Sequence, residues 1–207
     1  MHVAIPLYPR FTALDVVGPY TVLAFAPGWK VTFVAAKPGP VIDDRGSLAL
    51  VATASYADVP TPEVILVPGG PGTADAMSDN ELLSWIRAAD GYTKWTTSVC
   101  SGSFLLGAAG LLAGRKATTH WGWVDKLPAV GAEHAADRVV VDGKIVTAAG
   151  VSAGIDMALA LLAQAQDDET AKTVQLAMEY DPAPPFDAGN PYSAPDSRRQ
   201  AALSLIY

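Results

Sequence analysis

Short apolar runs alternate with helix-forming stretches along most of this chain, and this alternation predicts strands and helices in turn. Continuous runs of apolar or β-branched residues, four to eight residues long, are typical of buried strands. The runs that fit this description are 2–7, 30–36, 63–67, 94–99 and 145–148. The stretches with helical composition are 12–26, bent at Pro19, then 79–89, 104–112 and two helices within 152–179. Strands that alternate with helices predict an α/β fold whose mostly parallel sheet is covered on both faces.

Turn residues divide the pattern further. Asp142-Gly143 separates two β-prone runs, and this dipeptide is a strong signal for a two-residue hairpin. A weaker hairpin signal is centred on Asp44-Arg45-Gly46. The segment 181–197 holds five prolines and is not expected to be helical throughout. No repeat or linker divides the chain, so residues 1–207 are predicted to form one domain.

Composition and charge exclude several classes of protein. Half of the residues are hydrophobic and 17% are charged, which is enough apolar material for a large core. The net charge is −7 and no Lys/Arg-rich run offsets it, so nucleic acid is not an expected partner. No apolar run reaches the roughly 18 residues that span a bilayer. A single cysteine cannot form an intramolecular disulfide, and the first residues lack a secretory signal, so we expect a cytoplasmic protein without a membrane partner.

The one cysteine, Cys100, lies where a predicted strand meets a predicted helix. The residues that follow it, Ser101, Gly102 and Ser103, are small enough for a tight elbow that lifts a nucleophile clear of the sheet. A helix N-terminus at this point would favour the thiolate and lower the pKa of the thiol. A lone cysteine is more often a buried, inert residue. The setting nevertheless favours a reactive thiol.

A second glycine-rich turn, Pro68-Gly69-Gly70-Pro71-Gly72, follows the strand 63–67. Sites in open α/β sheets form at the carboxyl ends of strands, so this turn and Cys100 are expected to be neighbours. Gly70 and Gly72 would then turn backbone N–H groups toward the cysteine and stabilise a developing negative charge. The alternative is ordinary turn chemistry, in which glycine only permits a positive φ.

The order of these motifs resembles the ThiJ/PfpI superfamily over nearly the whole chain. The superfamily resemblance is carried by Pro68–Gly70, Val99–Gly102, Thr118–His120 and Val140–Thr147. Three more stretches resemble its isonitrile hydratase branch: Phe11–Pro19, Ala117–Trp121 and Glu179–Gly189. The resemblance implies a flavodoxin-like three-layer sandwich, related to the class I glutamine amidotransferase-like fold, with a cysteine nucleophile elbow. It also implies a homodimer.

The resemblance assigns roles to three further residues. Asp15 falls where an acidic residue of the first helix faces the cysteine, and it would act as a general acid and base with a raised pKa. The alternative for Asp15 is a carboxylate that caps the helix start in a Thr-x-x-acid box. Ser101 replaces the His of proteolytic and deglycase-like members and the usual Thr of the isonitrile hydratases, and it would supply a hydroxyl and form the turn. His120 would lie near the cysteine pocket or a dimer contact, or be structural.

Other polar and aromatic residues are given structural roles. Trp121 and Trp123 are interpreted as packing or interface residues. The histidines have no ligand-like spacing with Asp, Glu or Cys100, so no metal site is predicted. Asp156 interrupts an apolar helix, and Arg138 is its expected partner.

The function implied by the resemblance is hydration of an organic isonitrile to an N-substituted formamide, by a lyase without cofactor. Cys100 would form a thioimidate with the substrate while Asp15 moves the protons. Two alternatives are kept. One is a glyoxalase or deglycase that acts on reactive aldehydes, against which the absence of His after Cys100 counts. The other is a non-enzymatic redox or ligand sensor in which Cys100 is oxidised. The branch also resembles sensor-like domains attached to AraC-type regulators.

Overall fold

The computed structural model describes residues 1–206. The strands are β1 His2–Pro6, β2 Lys30–Ala35, β3 Gly39–Ile42, β4 Ala49–Ala52, β5 Ala54–Ser55, β6 Val64–Val67, β7 Trp95–Val99, β8 Lys116–Ala117, β9 Glu133–His134, β10 Val139–Asp142 and β11 Ile145–Ala148. The α-helices are α1 Ala13–Phe25, α2 Thr73–Ala76, α3 Asn80–Asp90, α4 Gly102–Ala108, α5 Ala153–Ala165, α6 Asp168–Ala177 and α7 Asp196–Ile206. A 3₁₀ helix, Trp121–Val130, lies between β8 and β9.

Seven strands form the central sheet in the order β10-β11-β7-β6-β1-β2-β5. All neighbours in this sheet pair in parallel except β10 and β11. Every residue of β6 is buried, as expected for a parallel strand that is covered on both faces. Helices α1, α5 and α6 pack together as one layer, and α2, α3 and α4 pack as another. The predicted α/β sandwich with a mostly parallel sheet is therefore confirmed.

Both predicted hairpins are present, and α1 begins directly after Thr12 as predicted, but the alternative role of Asp15 in a capping box is wrong. Thr12 does not cap the helix; its Oγ1 donates to Asp44 Oδ2 at 3.0 Å, in the loop between β3 and β4. Asp15 Oδ2 instead accepts a hydrogen bond from Gly69 N at 2.9 Å. The two side chains of the box are thus used for contacts between distant segments.

The C-terminal segment combines irregular chain with a helix that the sequence did not predict. Residues 181–195 have no regular structure, in agreement with their prolines, and α7 begins directly after them. The predicted partnership of Asp156 with Arg138 is confirmed, and Tyr180 OH donates to the other oxygen of Asp156 at 2.8 Å. This hydrogen bond attaches the start of the C-terminal segment to α5. Within the part of the chain described, no helix has the length and apolar character needed to cross a bilayer.

Candidate active site

The turns after β6 and β7 are pressed against each other, as predicted. The two strands pair in parallel, with Val67 opposite Ser98. A Cβ atom placed on Gly69 would lie 2.5 Å from Ser101 N, and one placed on Gly102 would lie 2.2 Å from Val67 O. Neither position has room for a side chain. The backbone of one turn therefore touches the backbone of the other beside Cys100.

Cys100 occupies the strand-to-helix elbow in a backbone conformation that non-glycine residues rarely adopt. Its φ is +56°, and its N–H donates to Ala149 O at 2.9 Å, beyond the end of β11. Such a conformation persists only where the surrounding structure holds it. The side chain is 6% exposed. The predicted strand-to-helix elbow is present, with a thiol that is nearly enclosed.

The expected lowering of the thiol pKa is wrong. Burial raises the pKa of Cys100, and the charge of the nearby Asp15 carboxylate raises it further. Hydrogen bonds from the backbone of Val151 and Ser101 oppose these effects without overcoming them. Helix α4, which starts at Gly102, is only two turns long, so its dipole offers little against desolvation. Cys100 therefore carries a thiol at neutral pH.

Asp15 lies fully buried behind Cys100 and holds a proton. Burial raises its pKa to about 8, although the Gly69 N–H and the Cys100 side chain act in the opposite direction. The predicted direction of this shift is confirmed. Oδ2 accepts from Gly69, whereas Oδ1 is buried without a hydrogen-bond partner. Because burial disfavours both charges, the carboxyl and the thiol form a coupled pair that is neutral below about pH 8.

Ser101 Oγ belongs to a chain of buried hydroxyl groups with a defined direction. Tyr8 OH donates its one proton to Pro68 O at 2.8 Å, so at the 3.0 Å contact with Thr73 Oγ1 it accepts. Thr73 then accepts from Ser101 Oγ at 2.9 Å, and Ser101 in turn accepts from Gly70 N at 3.0 Å. Ser101 therefore holds the β6 turn against the β7 turn, and its proton points to Thr73.

Gly70 and Gly72 do not offer free N–H groups to the cysteine. The Gly70 N–H is donated to Ser101 Oγ, and the Gly72 N–H is donated to Arg10 O at 3.1 Å. The predicted pocket for negative charge, made of these two groups, is therefore wrong. The turn uses its N–H groups to join three segments, and Gly70 contributes only its surface to the cavity beside Cys100.

A cavity of about 70 Å³ opens above Cys100. It is lined by Thr12, Asp44, Arg45, Gly70, Pro71, Cys100, Ser101, His120, Trp123, Val151 and Ile206. Asp15 is not part of this wall. Trp123 was interpreted as a packing or interface residue, but it also lines the cavity. The walls come from seven separated segments, so no local motif marks them.

His120 lines the cavity, as the resemblance implied, but it is held in a fixed orientation. Its Nδ1 accepts from Gly122 N at 3.2 Å, and burial lowers its pKa. The imidazole is therefore neutral at pH 7. Among residues 1–206, no group of three or more His, Cys, Asp or Glu side chains is arranged to hold a metal ion.

The fold and site define a class of protein: an α/β sandwich with a cysteine at the strand-to-helix elbow of its sheet. Comparison with known families supports this class. Residues 1–164 match the model of the DJ-1/PfpI family, and the chain belongs to this family. The chain is 45% identical over 210 residues to an isonitrile hydratase from Pseudomonas putida, an alignment that covers 99% of this chain and 92% of the relative. The family resemblance predicted from the motifs is thus confirmed.

Solved structures lead to the same family. The fold matches a ThiJ/PfpI family protein from Pseudomonas syringae with a TM-score of 0.94 and 42% identity, over 99% of this chain and 85% of the other. DJ-1beta from Drosophila melanogaster matches with a TM-score of 0.78 over 86% of this chain and 97% of the other. Its identity is 22%, so it supports the fold alone.

Proposed function

We propose that this protein is an isonitrile hydratase, which adds water to an organic isonitrile to give an N-substituted formamide without a cofactor. The observation that carries the proposal is the neutral pair of Cys100 and Asp15 beneath a small, partly apolar cavity. The 45% identity to the isonitrile hydratase of Pseudomonas putida supports the same activity.

The first step adds the Cys100 thiol across the terminal carbon of the isonitrile. That carbon carries a lone pair, so it can take a proton, and it becomes electrophilic toward sulfur as it does so. Asp15 gives its proton to the carbon, Cys100 sulfur bonds to the same carbon, and the thiol proton passes to Asp15. The C≡N bond becomes the C=N bond of a thioimidate. The unpartnered Oδ1 of Asp15 is available for this transfer.

The second step hydrolyses the thioimidate. Water adds its oxygen to the carbon, and Asp15 relays a water proton to the nitrogen. In the resulting tetrahedral adduct the C–S bond breaks, the hydroxyl becomes the formamide carbonyl, and its proton returns to sulfur. The sum is one isonitrile and one water to one formamide, with Cys100 and Asp15 both restored. A neutral pair suits this sequence because no net charge has to be stabilised in the buried site.

Ser101 acts as a positioning residue in this proposal. Its hydroxyl proton is directed to Thr73 and its lone pair holds the Gly70 N–H, so it fixes the elbow relative to the β6 turn. A histidine at this position, which a glyoxalase or deglycase of this superfamily would carry, is absent. The high pKa of the buried thiol also disfavours ready oxidation to a sensor state. The following experiment tests the aldehyde alternative directly.

The decisive experiment measures formamide production from a simple alkyl isonitrile by the wild type and by Cys100→Ala. We expect turnover by the wild type and a loss of at least roughly a thousandfold in the variant, since the covalent step is removed. Circular dichroism of the variant controls for folding. Consumption of methylglyoxal by the wild type, with the isonitrile left untouched, would replace the proposal with the aldehyde function.

The assembly and location of the enzyme are further parts of the proposal. We infer a homodimer, supported by the family resemblance and by the partly exposed apolar side chains Leu14, Tyr20 and Phe25 on α1. The mass in solution, measured by light scattering, tests it. A cytoplasmic location is supported by the single cysteine of the chain.

A further inference from the structure

Helix α7 supplies one wall of the cavity above Cys100, although it is far from the cysteine in sequence. Ile206, in its last turn, lines the same cavity as Cys100, and so do Trp123 and Val151. These three side chains are the large apolar part of the lining. The polar part of the lining includes Thr12, Asp44 and Arg45.

The helix is attached to the rest of the molecule by few contacts. None of its residues is buried, and the irregular segment 181–195 precedes it. Arg45 Nη2 donates to Leu205 O at 2.9 Å, which ties the last turn of α7 to the loop between β3 and β4. On the other side, Leu203 packs onto Gly122, where an added Cβ would lie 2.8 Å from Leu203 Cδ2. These two contacts hold Ile206 in the cavity wall.

We propose that Ile206 determines which isonitriles enter the site, with Arg45 as the residue that positions it. This inference rests on the proposed function. The substituent of an isonitrile points away from the reacting carbon, and therefore away from Cys100 toward the wall. An apolar substituent gains about 25 cal/mol for each Å² that leaves water, so it favours the side made of Trp123, Val151 and Ile206. Of these three, Ile206 lies on the least firmly held element.

The first test varies the volume of the side chain. Ile206→Trp and Ile206→Ala are compared with the wild type on methyl isonitrile and on cyclohexyl isonitrile. The measured quantity is the ratio of kcat/KM for the large substrate to that for the small one. We expect the ratio to fall roughly tenfold in Ile206→Trp and to rise or hold in Ile206→Ala, since pocket volume discriminates substituents of different size by about this factor.

Leu205→Ala is the matched control. Leu205 precedes Ile206 in the same helix, but its side chain is 71% exposed and is not part of the cavity wall. The substitution leaves the carbonyl that accepts from Arg45 in place. We expect the wild-type ratio of kcat/KM in this variant. A change as large as that of Ile206→Trp would mean that any disturbance of α7 alters selectivity, and it would overturn the specific role of Ile206.

A second readout does not depend on isonitrile hydration. Because Cys100 is the only cysteine, mass spectrometry follows its alkylation by small iodoacetamide and by bulky N-cyclohexylmaleimide. We expect Ile206→Trp to slow the bulky reagent more than the small one by roughly tenfold, and Arg45→Gln to speed both. An unchanged ratio of the two rates in Ile206→Trp would overturn the inference. If the ratio changes while the wild type hydrates no isonitrile, Ile206 controls access but the proposed function is wrong.

Discussion

The Cys100 elbow and helix α7 meet at the same cavity, but they are built in opposite ways. Cys100, Asp15 and Ser101 are all buried, and each is held by contacts from at least one other segment of the chain. Helix α7 has no buried residue and reaches the cavity after a long irregular segment. Chemistry that needs fixed geometry thus lies on the rigid part, and the wall that meets the variable part of the substrate lies on the loosely held part.

The largest effect that would test this division is expected from Asp15→Asn. Asparagine keeps the shape and can still accept from Gly69 N, but it cannot transfer a proton. We expect kcat/KM for isonitrile hydration to fall by at least about a hundredfold, with an unchanged circular dichroism spectrum. Steady-state assays provide the measurement. Near-normal turnover would remove Asp15 from the mechanism and leave it a structural role.

Substitutions at Ser101 test how closely the rigid region is packed. Ser101→Thr keeps the hydroxyl that bonds Thr73 and Gly70, so activity within about threefold of wild type is expected. The Ser101 hydroxyl is packed so closely against Gly69 that a Cβ on Gly69 would lie 2.6 Å from it. Ser101→His puts a bulkier imidazole into this contact, and we expect roughly tenfold or greater loss. Parallel assays on an isonitrile and on methylglyoxal compare the variants. Equal activity of both variants would contradict the close packing inferred for this elbow.

The pH dependence of stability tests the burial of Asp15. Its pKa is about 8 in the folded protein against an ordinary value of 3.8. Between these two pH values the folded protein keeps the Asp15 proton, whereas the unfolded chain has lost it. Its contribution to the free energy of unfolding is therefore fully present below about pH 4 and is lost as the pH rises through about 8. We expect Asp15→Asn to make the decline between these values shallower, by up to roughly 1 kcal/mol per pH unit.

Denaturant titrations of wild type and Asp15→Asn at several pH values measure this difference. Other titrating groups contribute equally to both proteins, so the comparison isolates Asp15. Parallel curves would mean that the carboxyl is ionised in the folded protein at neutral pH, and the neutral pair with Cys100 would not exist.

The smallest effect is expected where the C-terminal segment leaves the body of the molecule. Tyr180→Phe removes the hydrogen bond to Asp156 Oδ1 but keeps the ring. Asp156 retains its ion pair with Arg138 and is partly exposed, so we expect a loss of about 1 kcal/mol or less in the free energy of unfolding. Hydration of methyl isonitrile is expected to be unchanged. A large loss of activity would show that this attachment supports the elbow, contrary to the division between the two regions.

The rigid region is also where the sequence was most informative. Strands of the parallel sheet are buried on both faces, so their apolar runs stand out, and the small residues after Cys100 mark the elbow. The contact between the two turns followed from a general property of parallel sheets. The hydroxyl chain could not be predicted, because Tyr8 and Thr73 are 65 positions apart and meet only in the fold.

Three features of the site were mispredicted or missed for physical reasons. The pKa of Cys100 depends on how completely water is excluded, and a local motif does not report that. The N–H groups of Gly70 and Gly72 are used by partners that the sequence does not place nearby. Helix α7 has almost no apolar periodicity, since nothing along its length is buried, and the prolines before it suggested irregular chain.

The close packing at Gly69 and Gly102 distinguishes residues that the fold requires from residues that bear on activity. A side chain at either position would collide with backbone at 2.2–2.5 Å, so any chain that keeps this packing needs glycine at both, whatever reaction it catalyses. These glycines therefore report the backbone packing of the scaffold and do not report its activity. Ser101, which lies between Cys100 and Gly102 in the sequence, does not have to be glycine. Searches for further enzymes with this activity should therefore give more weight to position 101 and to the residues of the cavity wall than to the glycine-rich motifs.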